Sequence, residues 1–242
     1  MNPPLLSLSG VEKSFGALKA LGPVEVMLAA RERLGLIGPN GSGKTTLINC
    51  IAGLLRPETG QIIYRGEDIT AEPAHKRARK GIARSFQIPR PFVGMSVIEN
   101  LLVPLDYLGR GAREDLARAD EVLTSVRLEA RRDVPAEALS QLELRKLELA
   151  RALVTGPKLL IADEAMAGLS EGEIDEILSL FLDLNRTGVA IIMIEHIMHA
   201  VMRFSERVIC LETGRIIAEG APRDIVDNPQ VQRVYFGEQA RR

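Results

Sequence analysis

The fold of this 242-residue chain is decided by the stretch Gly38-Pro39-Asn40-Gly41-Ser42-Gly43-Lys44-Thr45-Thr46. It fits the phosphate-loop pattern G-x-x-x-x-G-K-[ST] at every fixed position. The glycines let the backbone coil tightly and direct successive N–H groups inward, which forms a cradle for phosphate oxygens. Lys44 adds a charge that can reach β- and γ-phosphates, and the Thr45 hydroxyl is a suitable ligand for Mg²⁺. The expected phosphate-binding residues are Asn40, Gly41, Ser42, Gly43, Lys44, Thr45 and Thr46.

The residues on both sides of this stretch support that prediction. Residues 33–37 have the pattern of a strand that enters the loop, and residues 47–52 have that of a helix that leaves it. Gly53 and then Pro57 predict the end of that helix. A helix that begins at the loop also points the positive end of its dipole toward a bound anion. A glycine-rich turn that matched the pattern by chance would lack this strand–loop–helix context.

The composition limits the remaining possibilities. The chain is 46% hydrophobic, carries a net charge of −1 and has a pI near 6.4, so nothing global indicates a nucleic-acid partner. Cys50 and Cys210 are far apart, which favours buried free thiols in a reducing compartment. We see no signal peptide, and the longest apolar run, near 189–194, is far shorter than the ~18–20 residues of a membrane span. We therefore expect a soluble chain that reaches a membrane only through partners.

The hydrophobic pattern predicts an α/β fold with a mostly parallel core sheet. Alternation at 5–9 and 24–28 predicts an N-terminal antiparallel β subdomain, and Thr59-Gly60 looks like a turn before a strand at 61–64. From 95 to 155 the pattern becomes helical, which predicts an inserted helical subdomain. Alternating strands and helices follow. We expect a single domain over 1–242, with a core at about 1–88 and 156–242 and the helical subdomain at about 89–155.

Two features have both a structural and a functional interpretation. On spacing alone Phe15 is an ordinary core aromatic, although it could also stack on an adenine ring. The basic cluster at 75–80 could bind nucleic acid or anionic lipid. Its acidic flanks and the lack of interleaved aromatics favour a solvated helix face.

Carboxylates follow the buried apolar strand at 159–162. Asp163 can hold Mg²⁺ through water, because ligands bind at the carboxyl edge of an open α/β sheet. Glu164 is the candidate to orient or deprotonate the attacking water. Two such carboxylates could merely charge a helix start, but the phosphate loop favours catalysis. His196 follows the strand at 189–194 and could hydrogen-bond a γ-phosphate; with His199 it does not form the metal pattern H-E-x-x-H.

Together these segments resemble the ATPase subunits of ABC transporters over nearly the whole chain. Residues 38–46 are similar to the Walker A loop, 159–164 to Walker B with its catalytic glutamate, and 167–169 to part of the D-loop. The resemblance implies that Gln87 senses Mg²⁺ and couples the ATPase to the transporter, that His196 is the switch histidine, and that Phe15 stacks on adenine. The implied Mg²⁺ ligands are Thr45, Gln87 and Asp163.

A narrower resemblance is to the ATPase subunits of branched-chain amino acid importers. It rests on the segments at 84–87, 95–102, 194–198 and 234–238. It implies ATP bound between two such chains, each nucleotide meeting one chain's phosphate loop and the other chain's signature segment. It also implies transmembrane permease subunits, a periplasmic solute-binding protein and a place on the cytoplasmic face of the inner membrane. The permease contact is expected at about 87–107.

The signature segment at 139–143 departs from this family. It should read close to Leu-Ser-Gly-Gly-Gln, but residues 140–143 are Ser140, Gln141, Leu142 and Glu143. Leu142 crowds a place where backbone should approach phosphate, and Glu143 adds like charge. Ser140 and Glu143 also form a capping-box pattern. We expect a poor signature beside an intact hydrolytic half-site, so that a heterodimer would have one strong and one weak site and a homodimer two weak ones. The resemblance to this branch implies a heterodimer. Two alternatives stay open: an ATPase for lipid or lipopolysaccharide export, and a nucleotide-gated binding module with little turnover.

Overall fold

The computed structural model describes residues 3–85, 89–108 and 111–236, and the chain divides into two compact units. The first unit combines Met1–Arg77 with Ala190–Arg242, and the second is Ala78–Val189. The strands are β1 (Leu6–Phe15), β2 (Leu18–Leu28), β3 (Arg33–Ile37), β4 (Thr59–Tyr64), β5 (Glu67–Asp68), β6 (Ile82–Ser85), β7 (Leu159–Asp163), β8 (Ala190–Ile194), β9 (Arg207–Glu212) and β10 (Arg215–Gly220). The helices are α1 (Lys44–Ala52), α2 (Ala74–Arg79), α3 (Val97–Asp106), α4 (Ala112–Ser125), α5 (Gln141–Leu153), α6 (Glu171–Arg186), α7 (Met198–Phe204), α8 (Pro222–Val226) and α9 (Pro229–Phe236). Short 3₁₀ turns lie at Glu129–Arg131 and Ala136–Ala138.

The first unit contains an antiparallel sheet and several strands of a mostly parallel one. The antiparallel sheet has the order β2-β1-β4-β5, as the alternating pattern at the N-terminal end of the chain predicts. In the other sheet β3 lies between β8 and β9 and pairs with both in parallel, and β10 pairs antiparallel with β9. Strands β3 and β8 are buried along nearly their whole length, which suits a parallel sheet covered on both faces. The expected α/β fold with mostly parallel strands and an antiparallel β portion is confirmed.

The turn predicted at Thr59-Gly60 is wrong, because both residues belong to β4. Gly60 has a φ of 83° and a side chain there would collide with the backbone of Gly10, whose φ is 60°. The register between β1 and β4 shifts between Ser9 and Glu12, beside these glycines. The glycine pair therefore serves a bulge inside the sheet.

The basic cluster at 75–80 lies mainly on α2, but the interpretation of a wholly solvated face is wrong for Arg77. This side chain is 1% exposed and donates hydrogen bonds to the carbonyl oxygens of Cys50 (2.6 Å) and Ile51 (2.8 Å) at the end of α1. Two more carbonyls accept from it, those of Glu72 at 2.9 Å and Thr70 at 3.1 Å. Arg77 thus satisfies carbonyls that the C-terminal end of a helix leaves without partners.

The second unit contains parallel strands β6 and β7 and helices α3 to α6. Three of its helices begin with the same capping box, in which a serine and the glutamate three residues later satisfy each other's backbone N–H groups. The glutamates, called the capping glutamates below, are Glu99, Glu143 and Glu173. The helices predicted between 95 and 155 are present; the limits of a helical subdomain at 89–155 stay a prediction.

Both cysteines are buried free thiols, as expected. Burial raises the pKa of each to about 11. No helix within the described ranges has the length and apolar character that a membrane span requires.

Candidate functional site

The predicted phosphate loop connects β3 to α1, as the pattern requires. Gly41 and Gly43 have φ angles of 78° and 105°, which favour glycine, and Gly43 is the residue before the first turn of α1. A side chain at Gly43 would come within 2.7 Å of the carbonyl oxygen of Ala20. The loop therefore needs glycine at 43 both for its backbone angle and for the close approach of β2.

Lys44 is buried and its ammonium group donates to the carbonyl oxygens of Gly38 (2.6 Å) and Pro39 (3.0 Å). Ser42 is also buried, and among the described residues its hydroxyl has no hydrogen-bond partner. Thr45 and Asn40 are exposed. A fixed cation, a buried hydroxyl that needs a partner and an exposed threonine oxygen at a helix start fit a phosphate ligand accompanied by Mg²⁺.

His196 lies at the same sheet edge as this loop. Leu36 of β3 is paired with Ile194 of β8 in parallel register, so the residues after both strands emerge together at the carboxyl edge. His196 is exposed and precedes α7. The prediction that His196 follows a strand is therefore confirmed. Its hydrogen bond to a γ-phosphate stays a prediction.

Phe15 ends β1, and its side chain is 48% exposed, so the interpretation of a core aromatic is wrong. The ammonium group of Lys13 lies 5.5 Å from the centre of its ring. Phe15 is paired with Leu18 at the start of β2, and Ala20 further along β2 is the residue whose carbonyl approaches Gly43. An exposed aromatic on the hairpin that adjoins the loop is suitable for a stacking contact.

Tyr235 was not predicted as a site residue. The backbone N–H of Gly38 donates to its hydroxyl at 2.6 Å, although the two residues are 197 positions apart. Burial raises the pKa of Tyr235 to about 12. The one signal in the sequence was the resemblance of the segment at 234–238, which indicates a family but no contact.

In the second unit, Asp163 ends β7 and is 8% exposed. Its carboxylate forms an ion pair with Arg84 on β6 at 2.6 Å. Glu164 has a φ of 48°, a left-handed conformation that is strained for a glutamate. Such strain often occurs at functional positions, which makes Glu164 a candidate functional residue. Gln87, the other residue expected here, lies outside the described residues.

The signature segment lies at the start of α5, where its own side chains form hydrogen bonds with its backbone N–H groups. Glu143 accepts from the backbone N–H of Ser140 at 2.8 Å, and the Ser140 hydroxyl accepts from the Glu143 N–H at 3.3 Å. Arg131 donates to the other carboxylate oxygen at 2.7 Å. The bond from the Ser140 N–H, together with Arg131, lowers the pKa of Glu143. The predicted capping box is therefore confirmed, and it places a carboxylate at the helix start. Leu142 is half-buried.

The signature segment and the predicted D-loop touch within this unit. Arg145 donates to the carbonyl oxygen of Ala167 at 2.9 Å. Gly168 has a φ of 80°, and a side chain there would come within 2.8 Å of the Gln141 amide nitrogen. The two segments are therefore in direct contact at Ala167 and Gly168.

A glycine-rich phosphate loop between a strand of a mostly parallel sheet and a helix is characteristic of the P-loop class of nucleotide-binding proteins. The family model described as "ABC transporter" matches residues 21–167, and the chain belongs to this family as an ATP-hydrolysing cassette. A second model, described as "Branched-chain amino acid ATP-binding cassette transporter", matches residues 215–241.

Individual proteins match over nearly the full length. A probable branched-chain amino acid transport ATP-binding protein LivG of Archaeoglobus fulgidus is 37% identical, over 97% of this chain and 96% of its own. The lipopolysaccharide export system ATP-binding protein LptB of Acidithiobacillus ferridurans is also 37% identical, over 97% of this chain and 98% of its own. A crystal structure of the ADP conformation of an ATP-binding cassette of an ABC transporter superposes with a TM-score of 0.90 at 32% identity, over 98% of this chain and 100% of that one.

Proposed function

We propose that this chain energises an ABC importer for branched-chain amino acids or a related small solute. The observation that carries the proposal is the match of residues 215–241 to a branched-chain amino acid cassette model, in a chain whose other parts are similar to such proteins. As a transporter ATPase it works with membrane permease subunits on the cytoplasmic face of the inner membrane, and a periplasmic binding protein supplies the solute. The test is ATP-dependent uptake of leucine by proteoliposomes that contain the chain and its co-purified membrane subunits, with the periplasmic binding protein and leucine added on the side from which the solute enters. Uptake that does not exceed a no-ATP control contradicts the proposal.

In this proposal the first unit binds the nucleotide. The loop backbone and Lys44 hold the phosphates, and the exposed ring of Phe15 stacks on adenine. His196, at the same sheet edge, hydrogen-bonds the γ-phosphate. Thr45 would contribute its hydroxyl to a bound Mg²⁺, which would balance the phosphate charge. Asn40, Gly41, Ser42, Gly43 and Thr46 complete the phosphate cradle.

The second unit supplies the hydrolytic groups. Asp163 would help to hold Mg²⁺, and its ion pair with Arg84 orients the carboxylate. Glu164 orients and deprotonates the attacking water. Gln87 is proposed as the sensor of Mg²⁺ and of the permease. Replacement of Glu164 by glutamine should lower ATP turnover by ~10²-fold or more, the usual contribution of a general base, while nucleotide affinity is retained.

The partner of this chain in the ATPase dimer is proposed to be a different ATPase subunit. Glu143 occupies the N-terminal end of α5 with its own charge, and Arg131 holds it there. A γ-phosphate that approached this helix start would meet a carboxylate and the side chain of Leu142. The chain therefore offers a poor signature to its partner, and a homodimer would contain two weak sites.

A double variant, Leu142→Gly with Glu143→Gln, tests the proposal that the signature segment is poor. We expect slow ATP turnover by the purified chain and faster turnover by the repaired variant. Arg131→Gln is the control, because it removes the charge partner without restoring the family residues. If the unmodified chain already hydrolyses ATP as fast as the repaired one, a symmetric homodimer is the better account.

The permease is proposed to dock on a groove of the second unit. This groove has a volume of about 360 Å³, and its lining includes Phe92, Pro104 and Tyr107. Arg151 lies over the Phe92 ring at 4.5 Å and Arg79 over the Tyr107 ring at 4.6 Å. Exposed apolar rings framed by arginines suit an amphipathic helix with acidic residues. Crosslinking from Phe92 to a membrane subunit should succeed in an active complex, and a crosslink from exposed Arg113 on α4 should not.

The purified complex of the chain with its membrane subunits also distinguishes two alternative functions. Lipopolysaccharide export is favoured by the LptB relative, and identification of the co-purified membrane subunits distinguishes export from import. A binding module with little turnover is favoured by the capping box at the start of α5, in which Glu143 accepts from the Ser140 N–H. In that case the complete complex would hydrolyse ATP no faster than its Glu164→Gln variant.

A further inference from the structure

The C-terminal helix α9 reaches the first residue of the phosphate loop through one hydroxyl group. The Gly38 N–H donates to the Tyr235 hydroxyl at 2.6 Å, and the Gly38 carbonyl accepts from Lys44 at the same distance. Gly38 is buried and has a φ of 150°. A side chain at this position would collide with the carbonyl of Leu211. The N–H and the carbonyl of Gly38 are therefore each held by a hydrogen bond, and the backbone of Leu211 leaves no room for a side chain.

The ring of Tyr235 is fixed by the core that carries the loop. It packs against a buried cluster that includes Ile37, the last residue of β3, and Cys210 of β9. Val231, one turn earlier on α9, is 3% exposed in the same cluster. The ring is thus held by apolar contacts, and its hydroxyl reaches the loop at Gly38.

We propose that Tyr235 is a positioning residue for nucleotide binding, whose hydroxyl fixes the Gly38 amide and so holds the base of the phosphate loop in its binding conformation. A loop that is already ordered loses less conformational freedom when the phosphates bind. The Tyr235 hydroxyl contributes to this order of the loop without touching the nucleotide. The inference depends on nucleotide binding by the loop, which is part of the proposed function.

The test compares two variants of the purified full chain. Tyr235→Phe keeps the ring and removes the hydroxyl, and Val231→Ala weakens the same core without touching Gly38. We expect the Kd for ADP, measured by calorimetry, to rise about fivefold in Tyr235→Phe, since one neutral hydrogen bond is worth ~1 kcal/mol and ~1.4 kcal/mol is tenfold in affinity. In Val231→Ala the melting temperature should fall while the Kd stays within twofold of the unmodified chain.

A second readout concerns the amide itself. Hydrogen exchange at the Gly38 N–H should accelerate at least tenfold in Tyr235→Phe, because its acceptor is gone, and should change little in Val231→Ala. An unchanged Kd in Tyr235→Phe overturns the inference. So does a rise of the Kd in both variants in proportion to their loss of stability, because Tyr235 would then act only through the core. Failure of the unmodified chain to bind ADP would contradict the proposed function instead.

Discussion

Arg77 closes the C-terminal end of α1, the helix that begins at the phosphate loop, and its removal should strongly destabilise the first unit. Its guanidinium donates to four carbonyl oxygens, two of them in the last turn of α1. Arg77→Met keeps most of the side-chain volume and deletes every donor. Hydrogen bonds from a charged group contribute about 1.5–3 kcal/mol each, and they are not additive when they share one group. We expect a loss of ~3–5 kcal/mol in the free energy of unfolding, similar to that of a broken buried ion pair.

Thermal and urea unfolding of the purified chain measure this loss. For a chain of this size ~1 kcal/mol shifts the melting temperature by ~2–4 °C, so Arg77→Met should melt about 10 °C lower. Lys76→Met is the matched control, because Lys76 is the exposed neighbour on α2 and its replacement should cost less than ~0.5 kcal/mol. Arg77→Lys should lie between the two, since an ammonium group cannot reach four carbonyls. If Arg77→Met loses no more stability than Lys76→Met, Arg77 does not support α1 in the way described.

Three further predictions concern acid stability, adenine recognition and the Asp163 ion pair. Hydrogen bonds from the serine partners lower the pKa of each capping glutamate below its ordinary 4.5, so these groups stabilise the fold above about pH 4.5 and their contribution is lost as the pH falls further. When all three are replaced by glutamine, the free energy of unfolding in urea should therefore change less between pH 7 and pH 3. An unchanged pH dependence of this free energy would contradict the prediction. Phe15→Ala should weaken ATP binding at least fivefold in calorimetry, because base stacking is worth ~1–3 kcal/mol, whereas Phe15→Trp should retain it; equal affinity in Phe15→Ala argues against stacking. Arg84→Gln should cost ~3 kcal/mol by leaving the Asp163 carboxylate buried without this partner, and Asp163→Asn added to it should cost little more; strictly additive losses in urea unfolding would mean that the two charges do not interact.

Much of the fold could be predicted because local pattern and global structure agree. The phosphate loop has a fixed spacing and needs no information from elsewhere in the chain. Residues 159–162 of β7 and all of β8 are continuous apolar runs, and the helix starts at Ser96, Ser140 and Ser170 are capping boxes within four residues. Each of these signals is contained in a short window of sequence, so the sequence alone reveals it.

The features that were missed depend on contacts between distant segments. Arg77 looks like one member of a charged run, and only the fold shows that it reaches α1. Thr59-Gly60 looks like a turn because the bulge opposite Gly10 is 50 residues away in the chain. The same reason explains Tyr235, whose partner is Gly38. The exposure of Phe15 also could not be read from its spacing, since a strand end is compatible with either environment.

The division of the chain into units has a consequence for synthesis on the ribosome. The second unit is continuous, but the first needs residues from both ends of the chain. The phosphate loop emerges early, whereas its sheet neighbours β8 and β9 and the tyrosine on α9 are translated last. At ~5–20 residues per second the segment from 190 to 242 takes roughly 3–10 s to synthesise. A nascent chain that has reached residue 189 therefore carries the complete loop sequence but lacks β8 and β9, the two strands that pair with β3. We expect it to bind nucleotide only after these strands have been synthesised.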